Sequence, residues 1–404
     1  MIDLEIPKKF RPLVSQANQV ATEVFRPISR KYDVAEHEYP KELDMLASLI
    51  DGMNEGSDIG GAGAAGVRRE ENGGSEAKNR NGSNLSTVLG IIELCWGDVG
   101  LLLSMPRQGL GNSAIASVAT DEQLERYGGK WAAMAITEPE AGSDSASIRT
   151  TAELDGDEYV LNGEKIYVTS GERADLVVVW ATLDRSKGRA AIKSFIVERS
   201  NPGMKLDRLE HKLGIRASDT AAFILDDCRV PQEALLGSPE IDVKQGFGGA
   251  MQTFDNTRPL VAAMAVGVAR ASLDETRLRL AEAGVEVDYT RPALSQSAAA
   301  ARFLEMEADY EASRLLTLQA AWMADNGKPN SLQASMAKAK AGRTCVDVSL
   351  GCVELCGSLG YGENELLEKW ARDAKILDIF EGTQQIQLLI VARQLLGKSS
   401  AELK

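Results

Sequence analysis

Histidine is almost absent from this chain: among 404 residues there are two, His37 and His211. A histidine-centred triad or a histidine-rich metal site is therefore not expected. The five cysteines, Cys95, Cys228, Cys345, Cys352 and Cys356, include no close pair of the kind that holds zinc. Cys352 and Cys356 fall one helical turn apart in an apolar run, the pattern of buried free thiols in a reducing cytoplasm. The opening residues Met1-Ile2-Asp3-Leu4-Glu5 lack the basic and apolar regions of a signal peptide. No apolar run is long enough to cross a bilayer, since even residues 261–269 are closed off by Arg258 and Arg270. Basic charge is also short, 45 Lys and Arg against 59 Asp and Glu, a formal net charge of -14. That balance disfavours non-specific attraction to nucleic acid or anionic lipid, and any anionic ligand has to be met by local arginines.

What the chain does have is apolar mass. At 44% hydrophobic it can bury a large core and is long enough for two or three domains. Over residues 10–50 and again over 86–127, apolar residues recur every three or four positions, which predicts amphipathic helices. Between them, residues 51–84 are rich in glycine and nearly free of large apolar side chains, so they read as a long loop. A glycine cradle for phosphate is the weaker alternative, because the spacing is irregular and no lysine follows. From 134 to 236 the pattern changes to short β-branched runs. Asp155-Gly156-Asp157 and Asn162-Gly163 flank Glu158-Tyr159-Val160-Leu161 as a hairpin pattern, residues 175–182 and 194–198 read as further strands, and Arg229-Val230-Pro231 closes the segment. Long helical periods return over 255–283, 297–326, 331–359 and 383–396, broken at Gly284, Gly327-Lys328-Pro329 and Gly360-Tyr361-Gly362. Four such helices with short breaks suggest an antiparallel bundle. The expected domains are residues 1–132 (helical, with the glycine loop), 133–242 (β) and 243–404 (helical bundle).

Three short segments carry chemistry. The stretch Arg372-Asp373-Ala374-Lys375-Ile376-Leu377-Asp378-Ile379-Phe380-Glu381-Gly382-Thr383 sets one carboxylate on an apolar approach, beside a glycine, just before a helix. Withdrawal from water raises a carboxyl pKa toward working pH, which makes Glu381 a candidate general base; a surface turn between two helices is the plainer reading. Ile136-Thr137-Glu138-Pro139-Glu140-Ala141-Gly142-Ser143-Asp144 can present hydroxyls and backbone N–H groups to a polar ring or a thioester tail. Tyr167-Val168-Thr169-Ser170-Gly171 sets an aromatic ring and a hydroxyl on one strand face, suited to a flat heteroaromatic cofactor, although an ordinary cross-strand pair fits as well.

The order of these segments is more specific than any one of them. The Thr-Glu-Pro loop, the Tyr-Val-Thr strand, His211-Lys212-Leu213-Gly214-Ile215-Arg216-Ala217-Ser218-Asp219-Thr220, Phe254-Asp255-Asn256-Thr257-Arg258-Pro259 and the Glu381 segment follow one another in a helix, β, helix layout. In this the chain resembles the acyl-CoA dehydrogenase family over nearly its whole length, best over residues 132–393 and poorly over the glycine loop. The resemblance implies an α+β multi-domain fold, with an N-terminal helical domain, a central β-barrel or β-sandwich domain and a C-terminal four-helix bundle. It implies FAD as cofactor, held by Met134, Thr137, Tyr167 (where the family usually has tryptophan), Thr169, Thr383 and Gln385. It implies an acyl-CoA substrate contacted by Ser143 and Arg258, and Glu381 as the base that removes the α-proton while the β-hydrogen leaves as hydride to flavin N5. The Glu381 backbone N–H and a ribityl hydroxyl of FAD would polarise the thioester carbonyl. The product would be a trans-2-enoyl-CoA, the electron acceptor an electron-transferring flavoprotein, the assembly a tetramer and the setting cytoplasmic fatty acid β-oxidation. An oxidase of the same fold and a silent structural subunit are the competing readings.

In two places the chain departs from that pattern. Family tetramers complete each FAD site with an arginine and an aromatic residue from a neighbouring subunit, and with a Gln-x-x-Gly-Gly turn. Here the arginine's place falls at about Glu286 and the aromatic's at Tyr289, while the turn reads Glu354-Leu355-Cys356-Gly357-Ser358. A carboxylate beside a diphosphate costs on the order of 1 kcal/mol per close pair even when well screened. Either a related subunit lends the arginine half in a heteromer, or the alignment is shifted and Arg291 serves in a homotetramer.

Overall fold

The computed structural model describes residues 5–47, 80–106, 110–241, 248–399 and 402, with the side chains of 110 and 248–256 left out. Most of the glycine-rich stretch, and with it the loop and phosphate-cradle readings, lies outside the described residues.

Apolar spacing of three and four folds the N-terminal segment into α1 (Arg11–Val20) and α2 (Arg26–Ala35), continuous through a π-type turn, Ala21–Phe25. A proline inside a helix removes a donor and crowds the carbonyl four residues earlier; the wider turn just before Pro27 relieves that crowding. Helix α3 (Ser83–Gly97) is buried nearly all round, and Asp325 accepts bonds from the N–H groups of Gly82 (2.8 Å), Asn84 (2.9 Å) and Leu85 (3.0 Å) at its start. A carboxylate there satisfies orphan donors and meets the positive end of the helix dipole. Asp98 caps α4 (Val99–Ser104), and Thr120 with Gln123 forms a capping box on α6 (Asp121–Tyr127), which follows α5 (Leu110–Val118).

Strands β1 (Ala132–Ala135), β2 (Thr151–Asp155), β3 (Glu158–Thr169), β4 (Leu176–Thr182), β5 (Ile192–Glu198), β6 (Met204–Leu209) and β7 (Thr220–Pro231) form one seven-stranded sheet in the order β1-β4-β2-β3-β7-β6, with β5 on β4. Strand β4, Leu-Val-Val-Val-Trp-Ala-Thr, is buried at every position because both of its faces are covered. Val177 and Val179 enter one apolar cluster with Phe195 and Phe223, while Leu176, Val178 and Trp180 enter another against Ala114 and Ile115 of α5. The hairpin turn at Gly156 (φ 67°) joins β2 to β3, as the sequence predicts, and β7 ends at Pro231. Asn162-Gly163 is not a second turn. It forms a bulge within β3, where Asn162 Oδ1 accepts from Asp227 N (2.9 Å) and a Cβ on Gly163 would lie 2.5 Å from Thr150.

Beyond the sheet run α7 (Gly248–Glu282), α8 (Ala298–Asp325), α9 (Ser331–Tyr361), α10 (Leu367–Leu377) and α11 (Gln384–Leu396). Helix α7 begins before the expected start and passes through Pro259. The four expected helices of the bundle are present, and α10 is an additional short one that delivers the chain to residue 378. Phe25, Tyr32, Ile92 and Leu101 from the N-terminal half share one apolar core with Val266, Phe303, Cys345 and Trp370 from the C-terminal half. Ile215 and Ala217 reach into that same core from the segment between β6 and β7. Each large side chain so buried contributes about 1.5–3 kcal/mol, so the loop from the β domain is held by the helical core. Among the described residues no helix is long and apolar enough to cross a membrane.

Candidate active site

Helix α10 ends at Leu377, and the chain turns sharply before Thr383 caps α11. Two consecutive residues in that turn have left-handed backbones, Glu381 (φ 56°) and Gly382 (φ 88°). Glycine takes this conformation freely, but a glutamate there costs about 1–2 kcal/mol and persists only when its surroundings hold it. Buried Gln387 donates from Nε2 to the carbonyls of Glu381 (3.1 Å) and Gly382 (3.3 Å). Lys338, 1% exposed on α9, donates from Nζ to the Gly382 carbonyl at 2.7 Å. With both carbonyls held from behind, the Glu381 carboxylate is left to accept the Thr257 hydroxyl from α7 at 2.9 Å.

Burial raises the Glu381 pKa, and the Thr257 hydrogen bond with the charges of Lys338 and Arg258 offsets part of that rise. Burial likewise brings Lys338 down to about 8, resisted by Asp378 and Glu381. A half-buried glutamate whose carboxyl pKa lies above its usual value, yet which a hydroxyl and two cations keep ionisable, is suited to accept a proton. Arg258 is 3% exposed and approaches Ser335 Oγ at 3.5 Å, so its guanidinium belongs to the wall around Glu381.

A second set of groups shapes the loop after β1. The Glu138 carboxylate accepts from Arg149 N (2.6 Å), Thr150 N (3.0 Å), Thr150 Oγ1 (2.5 Å) and Lys165 Nζ (2.7 Å). Burial pushes its pKa up, but Lys165 and these donors outweigh it and leave the carboxyl below its usual value. Lys165 is fully buried, which brings its pKa to about 8 against the pull of Glu138. The Thr137 carbonyl is tied to Ile166 N at 2.9 Å, so the Thr137 hydroxyl sits on a backbone anchored on both sides.

Two residues on, β3 slips register between Lys165 and Val168, and Tyr167 takes a left-handed backbone (φ 57°) with its ring 61% exposed. Bulges re-aim side chains, and here Val168 stays in the core while Tyr167 and the half-buried Thr169 come out. Ser143 is exposed on the loop, Met134 packs partly buried beside the β1 face that meets α5, and Gln385 is exposed on α11. The Thr383 hydroxyl accepts from Ile386 N at 3.3 Å as the helix cap. The residues that would hold a flavin thus include an uncovered tyrosine, with the half-buried Thr169 two residues along the same strand, which suits a flat polar ring.

Sequence alone assigned no role to Glu138, Lys165, Lys338 or Gln387. The alternation of β3 is the one signal that pointed to the first pair, since it places Lys165 on the inward face with Tyr159 and Leu161. The segment from His211 to Thr220 also acquires a task. Ile215, left-handed at φ 48°, donates its N–H to Asp373 Oδ1 at 2.5 Å. Asp373 shares Lys369 (2.6 Å) with Asp98 (2.7 Å), all buried. Gly214 is required there, since a Cβ would lie 2.5 Å from the Arg372 backbone. The β domain is thereby pinned to α10, just ahead of the Glu381 turn.

Profiles of the acyl-CoA dehydrogenase middle domain and C-terminal domain match residues 133–228 and 244–396. The short-chain specific acyl-CoA dehydrogenase of Clostridium acetobutylicum is 36% identical over 319 residues, 77% of this chain and 82% of that protein. The chain belongs to the acyl-CoA dehydrogenase family. The butyryl-CoA dehydrogenase of Megasphaera elsdenii has the same fold, with a TM-score of 0.83 at 31% identity, over 98% of this chain and 100% of that one. A chain from a structure described as the electron transferring flavoprotein of Acidaminococcus fermentans is equally similar (TM-score 0.82, 32% identity, 98% of this chain and 100% of that one). Members of this family are flavin oxidoreductases, and this enzyme has their helical, β and helical-bundle architecture.

The positions at which the chain departs from the family pattern lie at the surface. Glu286, Glu354 and Ser358 are exposed, as is the Tyr289 ring (61%). Arg291 donates to Ser295 O at 2.6 Å, whereas Arg277 of α7 reaches the Tyr289 hydroxyl at 2.9 Å. Arg277, rather than Arg291, is the guanidinium beside that aromatic ring.

Proposed function

We propose that this enzyme oxidises the α,β bond of an acyl-CoA thioester to the trans-2-enoyl-CoA, with Glu381 as the base. The observation that carries this reading is the raised-pKa Glu381 carboxylate in a left-handed turn, aimed at Thr257 and backed by Lys338 and Gln387. FAD, which Thr137, Tyr167, Thr169, Thr383 and Gln385 would hold with Met134 nearby, would supply the electron sink that takes the β-hydrogen with its electron pair as hydride, chemistry that no side chain provides. Glu381 takes the α-proton, breaking that C–H bond and becoming a neutral carboxylic acid. The electron pair released forms the α,β double bond. The backbone N–H of Glu381 polarises the thioester carbonyl, which makes the α-proton more acidic. Ser143 and Arg258 contact the acyl-CoA, and the Arg258 charge also favours the ionised form of Glu381.

A relative named for short-chain substrates makes butyryl-CoA the first thioester to try. An electron-transferring flavoprotein is the acceptor we favour, on the similarity to a chain from such a complex. Rapid reoxidation of the reduced enzyme by air would favour an oxidase instead. A cytoplasmic setting suits five unpaired cysteines. The assembly is a tetramer, and the acidic Glu286 and Glu354 favour a heteromer whose second subunit contributes to FAD pyrophosphate binding. Full, tight FAD occupancy in the chain purified alone would rule the heteromer out. Glu381→Gln should retain FAD and lose bleaching of the flavin by substrate; undiminished bleaching would refute the assigned base.

A further inference from the structure

The two histidines of the chain, far apart in sequence, meet in the fold. His37 follows the end of α2 with a left-handed backbone (φ 67°), and its ring lies edge-on to His211, centroids 5.0 Å apart. Glu36, the residue that ends α2, brings Oε2 to 2.9 Å from His211 Nδ1 and accepts Lys212 N on Oε1 at 3.0 Å. One ligand atom from each of Glu36, His37 and His211 falls within 4.8 Å of the others.

The state of His37 is the telling feature. Both of its ring nitrogens are shielded from solvent and neither has a hydrogen-bond partner. A buried polar atom left without a partner is rare enough to need an explanation, and an imidazole nitrogen is a common metal ligand. Lys212 Nζ is held by Ser218 O (2.8 Å), and Arg173 donates to the His37 backbone carbonyl (3.0 Å) rather than to a ring or carboxylate of the cluster. The C-terminal end of α2, with its negative dipole, lies at the same place.

We infer that Glu36, His37 and His211 form a three-ligand site for a borderline divalent cation of the zinc class, open to solvent on the side of His211. Two imidazole nitrogens and one carboxylate oxygen suit zinc better than magnesium, and a tetrahedral ion takes such ligands at about 2.0–2.2 Å with water in the fourth place. Two ligand atoms at those bond lengths stand roughly 3.3 Å apart in a tetrahedron, close to the Glu36–His211 separation. The bound ion ties the end of α2 to the segment after β6, the same segment that reaches Asp373 through Ile215. It therefore clamps the joint between the N-terminal helices and the β domain, independently of the reaction at Glu381.

The test uses the full chain stripped with chelator. Cobalt(II) should bind at one equivalent per chain with the visible absorption of a low-coordinate site, zinc should displace it, and magnesium should not. Zinc should raise the thermal midpoint of the wild type. His211→Ala, whose side chain is 82% exposed and so is not needed for folding, should weaken cobalt binding at least tenfold and abolish the thermal shift. His37→Ala should do the same. Absence of saturable cobalt binding to the wild type, or binding that survives His211→Ala unchanged, would overturn the site and leave only an ion pair between Glu36 and His211.

Discussion

Replacing Thr257 by valine tests the electrostatics of the base with almost no change of shape. The hydroxyl donates to Glu381 Oε2 at 2.9 Å, and Thr257 is 2% exposed, so water is poorly placed to substitute for it. A hydrogen bond to a charged group is worth about 1.5–3 kcal/mol, and one pKa unit is about 1.36 kcal/mol, so losing it moves the Glu381 pKa by roughly one to two units. The direction follows from the chemistry. The hydroxyl stabilises the ionised carboxylate, so its removal raises a pKa that burial has already raised. The ionised form is the one that accepts a proton. The acid limb of kcat/KM therefore shifts to higher pH by about one unit or more, with rates at least tenfold lower on that limb and equal to wild type well above it. Steady-state rates with butyryl-CoA across pH, with FAD content measured in parallel, decide the matter. An acid limb that coincides with wild type, at full FAD content, would refute the role given to Thr257 and the protonation logic of the site.

Lys338→Met removes a cation that holds the Glu381 pKa down, so its acid limb should also move up; a profile displaced to lower pH would contradict the arrangement. Glu138→Gln leaves the buried Lys165 ammonium without its counter-charge and should cost about 3–5 kcal/mol in urea unfolding. Glu138 raises the Lys165 pKa, so in the variant that pKa falls below about 8. The folded variant then binds fewer protons than wild type between its own lysine pKa and about 8, so the deficit should shrink as pH rises toward 8 and level off above it. Glu138→Gln combined with Lys165→Met should recover part of the loss; a double variant no better than the single would show that the pair is not the cause.

Legibility from the sequence followed the range of the interactions. The helical periods, the Gly156 turn and the stop at Pro231 were readable because turn and period preferences act over a few residues. Asn162-Gly163 misled for the same reason: its local signal is that of a turn, but pairing with β7 across the sheet makes it a bulge. Helix α10 was not among the expected helices because its eleven residues carry a shorter periodic signal than the four long ones. The candidate base was visible through its setting between apolar residues and a glycine, whereas the groups that hold it, Lys338 on α9 and Thr257 on α7, arrive from distant segments.

The sequence by itself determined the succession of helical, β and helical regions, the family resemblance and the identity of the candidate base. Only the tertiary structure decided that Arg258 is buried within electrostatic reach of Glu381, that Glu138 and Lys165 form a buried pair at the Thr137 loop, and that His37 meets His211. The physical reason is that burial, and the charge interactions it strengthens, depend on which segments pack together, and periodicity along one segment carries no record of its neighbours.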